Sequence, residues 1–328
     1  MTARERTMRA VTQDRYGDTD VLRVRELPVP VPAAGRVLVA VAAAGLNMAD
    51  WHLMTGRPYM ARLALGLRRP RAAVRGDDVA GTIAAVGDGV TRFAVGDRVF
   101  GSAPGAFADF VAAREEHLAP IPDGIDDETA AASPMAGFTA LHALDAARVE
   151  RGSRVLVTGA GGGVGGFVVQ LASGLGASVT AVCSAGKREA VRGFGAHEVI
   201  DYRLEDVTER SERWDAVIDF AGDRPVSSWL PIVAPGGRLV LGGGEGGNEI
   251  IGPLGRALPG FVASMGPRVT VTTLLALVSE AGLARVAESL ADGALRPLVT
   301  RTYGLDEVRA AIDDLRSATY PGKLVVVP

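Results

Sequence analysis

Cysteine is almost absent: the 328-residue chain has one, Cys183. That excludes an intrachain disulfide framework and any Cys-rich zinc site, and it suits a reducing cytosol. An excess of charge of one sign is missing too. Thirty-five Lys and Arg stand against 38 Asp and Glu, a formal net charge of −3. No global field therefore draws the chain to nucleic acid. The opening M-T-A-R-E-R-T-M-R-A has no apolar core of the kind a signal peptide needs. The apolar run V-L-V-A-V-A-A-A-G-L from Val37 is too short for a membrane span. The expectation is a cytoplasmic protein with no nucleic-acid or membrane partner, acting on a small molecule. Internal repeats and long disordered segments are also missing, and the one local charge run is R-R-P-R-A-A-V-R at 68–75.

What is present has the composition of an ordinary globular protein, 48% hydrophobic and 22% charged, and a length that allows two domains or one large one. Two rhythms divide it. The first third carries short apolar runs at 37–41, 81–86 and 107–111, punctuated by Gly-, Pro- and Asp-containing turns, a pattern that suggests a small barrel. From about Asp126 strands and helices alternate. Strands are expected at 154–158, 178–182, 197–201, 214–220 and 237–242. Helices are expected at 164–176 and 187–194, with another entered around Thr273. A last strand, K-L-V-V-V-P, closes the chain. Continuous apolar strands separated by helices argue for a parallel sheet covered on both faces.

Between the strand ending near Val157 and the helix starting near Val164 lies T-G-A-G-G-G-V-G-G. Glycine concentrated there costs conformational entropy. The gain is a backbone that a pyrophosphate can approach, at free N–H groups and a helix N-terminus. The frame that fits the junction is Ala160-x-Gly162-x-x-Gly165; a second frame starting at Gly161 puts its last glycine deeper in the helix. Missing again is the acidic residue that would hold the ribose hydroxyls of NAD at the end of the second strand. Cys183 and Ser184 occupy its place, followed by Lys187 and Arg188. Nothing there repels a 2′-phosphate, and a hydroxyl with two cations can bind one. Lys187 and Arg188 can also be read as solvated residues opening the next helix, but cations there oppose its dipole. The balance favours NADPH.

With these residues in view, the chain resembles the medium-chain dehydrogenase/reductase family, in its zinc-independent quinone oxidoreductase and enoyl reductase branch. The resemblance runs through A-A-A-G-L-N-M-A-D (42–50), D-D-V-A-G-T-I-A-A-V-G (77–87), F-A-V-G-D-R-V-F-G (93–101) and G-F-T-A-L-H-A-L (137–144). It continues through the glycine loop, G-A-H-E-V-I-D-Y-R-L-E-D (195–206), A-P-G-G-R-L-V (234–240) and P-G-K-L-V-V-V (321–327). It implies a Rossmann doubly wound parallel sheet with a GroES-like β-barrel catalytic domain. Residues 1–125 and 274–328 would form the barrel domain and 126–273 the dinucleotide-binding domain, with the cofactor in the cleft between them. It further implies NADPH, with Lys187 and Tyr202 near the 2′-phosphate, and often a homodimer. Thr139, Ala160, Gly162, Gly163, Val164, Gly165, Ser184, Arg188, Ala221, Gly242, Gly243 and Lys323 join the expected cofactor site, along with Asn47 beside the nicotinamide.

Zinc alcohol dehydrogenases share this fold, and their pattern places a cysteine ligand where this chain has Asn47 and a histidine where it has Asp77. The third ligand position falls near Met135, and there is no four-cysteine lobe. No metal is expected. The chemistry left is hydride transfer from NADPH to a conjugated C=C or a quinone. Metal-free ketone reduction and non-catalytic NADPH binding are the alternatives. Catalytic candidates lie in N-M-A-D-W-H-L-M-T-G-R-P-Y (47–59): Asn47, Asp50, His52 and Tyr59. The alternative for Asp50 is that it only caps or braces its loop. His52 stands where many quinone oxidoreductases carry tyrosine. Tyr59 is the nearest phenol able to give a proton. The arginines of 59–71 either attract an anionic substrate or carrier or are solvated surface, and 241–256 is expected to approach the nicotinamide and line the pocket.

Overall fold

The computed structural model describes residues 6–243, 249, 250, 252, 255, 269–274 and 278–328. Most of the expected 241–256 segment lies outside the described residues. The first strands, β1 (Thr7–Thr12) and β2 (Arg23–Pro28), form an antiparallel pair. Then come β3 (Arg36–Gly45), α1 (Met48–Thr55), α2 (Arg62–Leu65), β4 (Asp78–Val86), β5 (Arg98–Ser102), β6 (Phe110–Arg114) and β7 (Leu118–Pro120). The apolar run at 107–111 therefore enters its strand three residues later than its composition suggests. Phe107 is buried but spends its backbone on Val11 and Arg75 across a loop.

After α3 (Asp127–Ala131) and α4 (Pro134–Ala147) the alternation begins: β8 (Arg154–Thr158), α5 (Gly163–Gly174), β9 (Ser178–Cys183), α6 (Arg188–Gly193), β10 (Glu198–Asp201) and β11 (Trp214–Asp219). It continues with α7 (Val226–Trp229), β12 (Val233–Leu241) and β13 (Thr270–Thr273). These strands build a six-stranded parallel sheet in the order β10-β9-β8-β11-β12-β13. Val155, Leu156 and Val157 of β8 are all fully buried, as expected of a central strand covered on both faces. The strand order reverses between β8 and β11, so a crevice opens at their carboxyl ends, the usual ligand place in such sheets.

The chain does not enter a helix at Thr273. Thr270–Thr273 pairs in register with Arg238–Leu241 as the sixth strand. Its β-branched threonines and Val271 suit a strand. The helix α8 (Glu280–Ala291) starts later, where the Ser279 side chain accepts from Gly282 N–H. The last elements are β14 (Val299–Gly304), α9 (Val308–Ser317) and β15 (Lys323–Val327). β15 pairs with β3, Val325 against Gly45 and Val326 against Ala44. The chain's end thus closes onto its beginning in a seven-stranded sheet, β14-β15-β3-β4-β5-β7, with β6 also on β3. α4 and α5 bury their alanine- and valine-rich faces against the parallel sheet, and a second core fills the other sheet around Val37, Val39, Ile83 and Val326.

Candidate functional site

A cleft of about 760 Å³ runs between the two sheets. One wall is the crevice of the parallel sheet. Thr158 ends β8 and donates its hydroxyl to Asp219 at 2.6 Å, and Asp219 also accepts from Gly222 N–H at 3.1 Å. These bonds join β8 to β11 across the switch point. The glycine loop begins at Gly159, whose φ of 63° favours glycine. Gly162 is the extended cap of α5, and the N–H groups of the helix's first turn have no partner within the helix. Side chains are barred here by crowding. A Cβ on Gly165 would run into the Gly159 carbonyl, one on Gly161 into the Lys187 stem, and one on Gly163 into the Lys323 stem. The opposite sheet touches this loop directly, since Gly322 N–H donates to Gly161 O at 3.0 Å.

Beyond the loop the cleft reaches the ends of β9 and β10, where Cys183, Ser184, Lys187, Tyr202 and Arg203 line it. Lys187 is only 8% exposed, yet its ammonium has no hydrogen-bond or ion-pair partner among the described residues. Burial pushes its pKa down, with the Cys183 side chain acting in the opposite direction. Burial likewise pushes the Cys183 thiol up, with Asp201 adding to it. A buried cation without a counter-ion is costly, so this end of the cleft suits an anion.

At the other end lie Leu46, Asn47, Met48 and His52, with Met135 and Thr139 from α4 and residues 314–318 from the end of α9. Asn47 is the N-cap residue of α1, and Asp50 at the third helical position accepts its backbone N–H at 2.8 Å. Asp50 therefore braces the loop from inside: it is 3% exposed and does not line the cleft. Burial is the main reason its carboxyl is pushed up to about 7. His52 lines the cleft and places Nδ1 3.0 Å from the Arg57 carbonyl, which fixes Nδ1 as the donor. Tyr59 lies elsewhere. It is 40% exposed, its hydroxyl is 3.5 Å from Glu249, and the Arg62 guanidinium sits 4.7 Å over its ring.

Of the expected cofactor residues, Asn47, Thr139, Gly162, Gly163, Val164, Ser184, Lys187, Tyr202, Ala221, Gly243 and Lys323 line the cleft together. Ala160, Gly165 and Gly242 lie behind its surface, and Arg188 is not among the residues that line it. Arg203 lines the cleft instead. Asp78, at the start of β4, sequence reasoning passed over. It is fully buried and accepts from Asn47 Nδ2 at 2.8 Å. Its only signal in the sequence is a carboxylate opening an otherwise apolar strand. Arg224, Trp229, Arg316 and Tyr320 also line the cleft unforeseen.

Residues 33–123 match the alcohol dehydrogenase GroES-like domain, and residues 194–326 match a family described as zinc-binding dehydrogenase. A quinone oxidoreductase from Mus musculus is 30% identical over 342 residues, which span the whole of both chains. The chain belongs to the medium-chain dehydrogenase/reductase family, in its quinone oxidoreductase branch. The fold agrees. The quinone oxidoreductase of Coxiella burnetii superposes with a TM-score of 0.85 at 27% identity, covering 98% of this chain and 100% of that one. A mycobacterial member, solved in complex with NADPH, gives 0.84 at 30% identity, covering 98% and 100%.

Zinc chemistry occurs within this fold, so the positions expected for it must be tested. Asn47 Oδ1 accepts from the Lys323 ammonium at 2.5 Å, so a fixed cation already occupies that acceptor. Asp77 accepts from the Ser102 hydroxyl at 2.7 Å, and Met135 offers a thioether. Among the described residues no group of three or more His, Cys, Asp or Glu is arranged to hold a metal ion. These side chains do not fit zinc.

Proposed function

We propose that this chain is an NADPH-dependent reductase that passes hydride to a quinone or a conjugated C=C without a metal ion. The observation that carries this reading is Lys187, a largely buried side chain whose ammonium has no partner among the described residues, at the far end of a cleft that begins at a glycine loop. It supports a 2′-phosphate there, with Ser184, Tyr202 and Arg203 alongside and no carboxylate at the end of β9. The residues present fit the dinucleotide. The first turn of α5 offers N–H groups to a pyrophosphate, and Gly162, Gly163 and Val164 line the cleft there. NADPH bound in the cleft supplies the hydride. With a quinone the balance is NADPH, a quinone and a proton giving NADP⁺ and a hydroquinone.

The chain's own part is to bind, orient and exclude water. Residues 126–273 hold the dinucleotide, and residues 1–125 with 274–328 supply the facing wall, from which Asn47, Met48 and His52 meet the acceptor. A conjugated carbonyl draws electron density from its β-carbon, so hydrogen-bond donors at its oxygen are what the wall must add. With Tyr59 outside the cleft lining, we assign the proton to His52 or solvent. No helix among the described residues is long and apolar enough to cross a membrane. We read the chain as a cytoplasmic protein, its lone thiol buried at Cys183, and as a homodimer.

The test is turnover by the purified chain with NADPH or NADH against a quinone, an enone and a ketone, with metal analysis of the same sample. Consumption of NADPH with the quinone or enone, an unreacted ketone and no stoichiometric zinc are expected. One zinc per chain lost together with activity, or ketone reduction alone, would overturn the reading.

A further inference from the structure

Asn47 faces the cleft with 8% exposure, and both ends of its carboxamide are taken from behind. Lys323 Nζ, from β15, lies 2.5 Å from Oδ1 and also donates to Leu46 O at 2.8 Å. Asp78, from β4, lies 2.8 Å from Nδ2. An ammonium only donates and a carboxylate, while ionised, only accepts. The two partners therefore admit a single orientation of the amide, which in most sites is a matter of assignment. One Nδ2 hydrogen is spent on Asp78, leaving the second as the group the carboxamide can still offer.

The same Asp78 carboxylate accepts the Met135 backbone N–H, at 3.2 and 3.3 Å to its two oxygens. Met135 lies in the first turn of α4 and lines the cleft beside Asn47. Asp78 and Lys323 are 0% and 3% exposed. Burying such groups is costly unless they are well bonded, and a core side chain of similar volume would fill the space without them. Their retention asks for a use beyond packing.

We propose that Asp78 and Lys323 are positioning residues that lock the Asn47 carboxamide so that it meets the hydride acceptor or the nicotinamide amide as a hydrogen-bond donor. This rests on the reading of the cleft as a reductase site. The lock sets the polarity of the contact: Oδ1 is turned onto the lysine and cannot face the reacting pair. It also fixes distance, since Asp78 bonds both the Asn47 side chain and the backbone at the start of α4.

Two variants separate positioning from stability. In Asp78→Asn the amide oxygen takes Met135 N–H and the NH2 meets Asn47 Nδ2, so Asn47 can satisfy Lys323 or position 78 but not both. Turnover with a quinone is expected to fall at least about tenfold in kcat, with the NADPH dissociation constant unchanged within about threefold. The exchange Asn47→Asp with Asp78→Asn keeps the bonds from Lys323 and from Met135 N–H and reverses only the one between positions 47 and 78. The new carboxylate accepts from Lys323 and from the new amide, and the new amide oxygen accepts from Met135 N–H. This double variant is expected to keep the thermal midpoint of the parent and to lose turnover, because a carboxylate offers the cleft no donor. Turnover at the parent rate in the folded double variant would overturn the proposal. So would an Asp78→Asn protein whose kcat is unchanged. Failure of the parent chain to bind NADPH or reduce any quinone or enone would instead defeat the reductase reading itself.

Discussion

Lys187→Met is the most direct perturbation of the cofactor assignment. Methionine keeps an unbranched stem over Gly161, against which the Lys187 chain packs, and removes only the ammonium. With no partner among the described residues, that ammonium has its interaction with a 2′-phosphate to gain in full. A hydrogen bond to a charged group is worth about 1.5–3 kcal/mol, so NADPH affinity should fall about 10- to 150-fold. NADH lacks the phosphate and should change by less than about twofold. The apo-protein supplies an independent sign. The Lys187 pKa is lowered from 10.5 by burial, so the unfolded chain holds this proton more tightly than the folded one. Stability therefore rises with pH as the lysine deprotonates below 10.5, and at neutral pH the buried charge is a cost. The variant should unfold at a higher temperature than the parent without cofactor, and at a lower one in saturating NADPH. Fluorescence titration with both cofactors and thermal melts with and without them decide the matter. Equal losses for NADPH and NADH, or none for either, would refute the 2′-phosphate site.

Three other expectations follow from the geometry. Burial pushes the Asp50 carboxyl up to about 7 in the folded state from the ordinary 3.8, so the folded chain holds more protons between these values and stability should fall as pH rises through them. Asp50→Asn should flatten that slope by up to about 1.4 kcal/mol per pH unit, read from urea unfolding between pH 4.5 and 7.5; an unaltered slope would contradict the buried carboxyl. Gly165→Ala drives a methyl into the Gly159 carbonyl and should cost about 1–3 kcal/mol of stability together with NADPH binding, so a parental melting temperature would show that the loop tolerates side chains. Tyr59→Phe should leave the rate within about twofold, because Tyr59 is half-exposed and outside the cleft lining; a loss of about 10²-fold would return the proton-donor role to the phenol.

What the sequence by itself determined is everything carried by local pattern. A buried strand, a run of glycines and a helix made the nucleotide crevice legible, because strand and helix periods are properties of neighbouring residues. The missing carboxylate after the second strand, with Lys187 four residues beyond Cys183, pointed to the phosphorylated cofactor for the same reason. Thr270–Thr273 escaped because a four-residue strand beside an apolar helix gives too short a period to read. Tertiary structure alone decided which distant polar groups meet. Asn47 and Lys323 stand 276 residues apart and Asn47 and Asp78 stand 31 apart, and they share one buried cluster only because β15 and β4 flank β3. It likewise made Arg203, and not Arg188, part of the cleft lining, although both follow the ends of neighbouring strands. A side chain's identity states what it can bond, while the pairing of strands far apart in the chain settles what it finds within 3 Å.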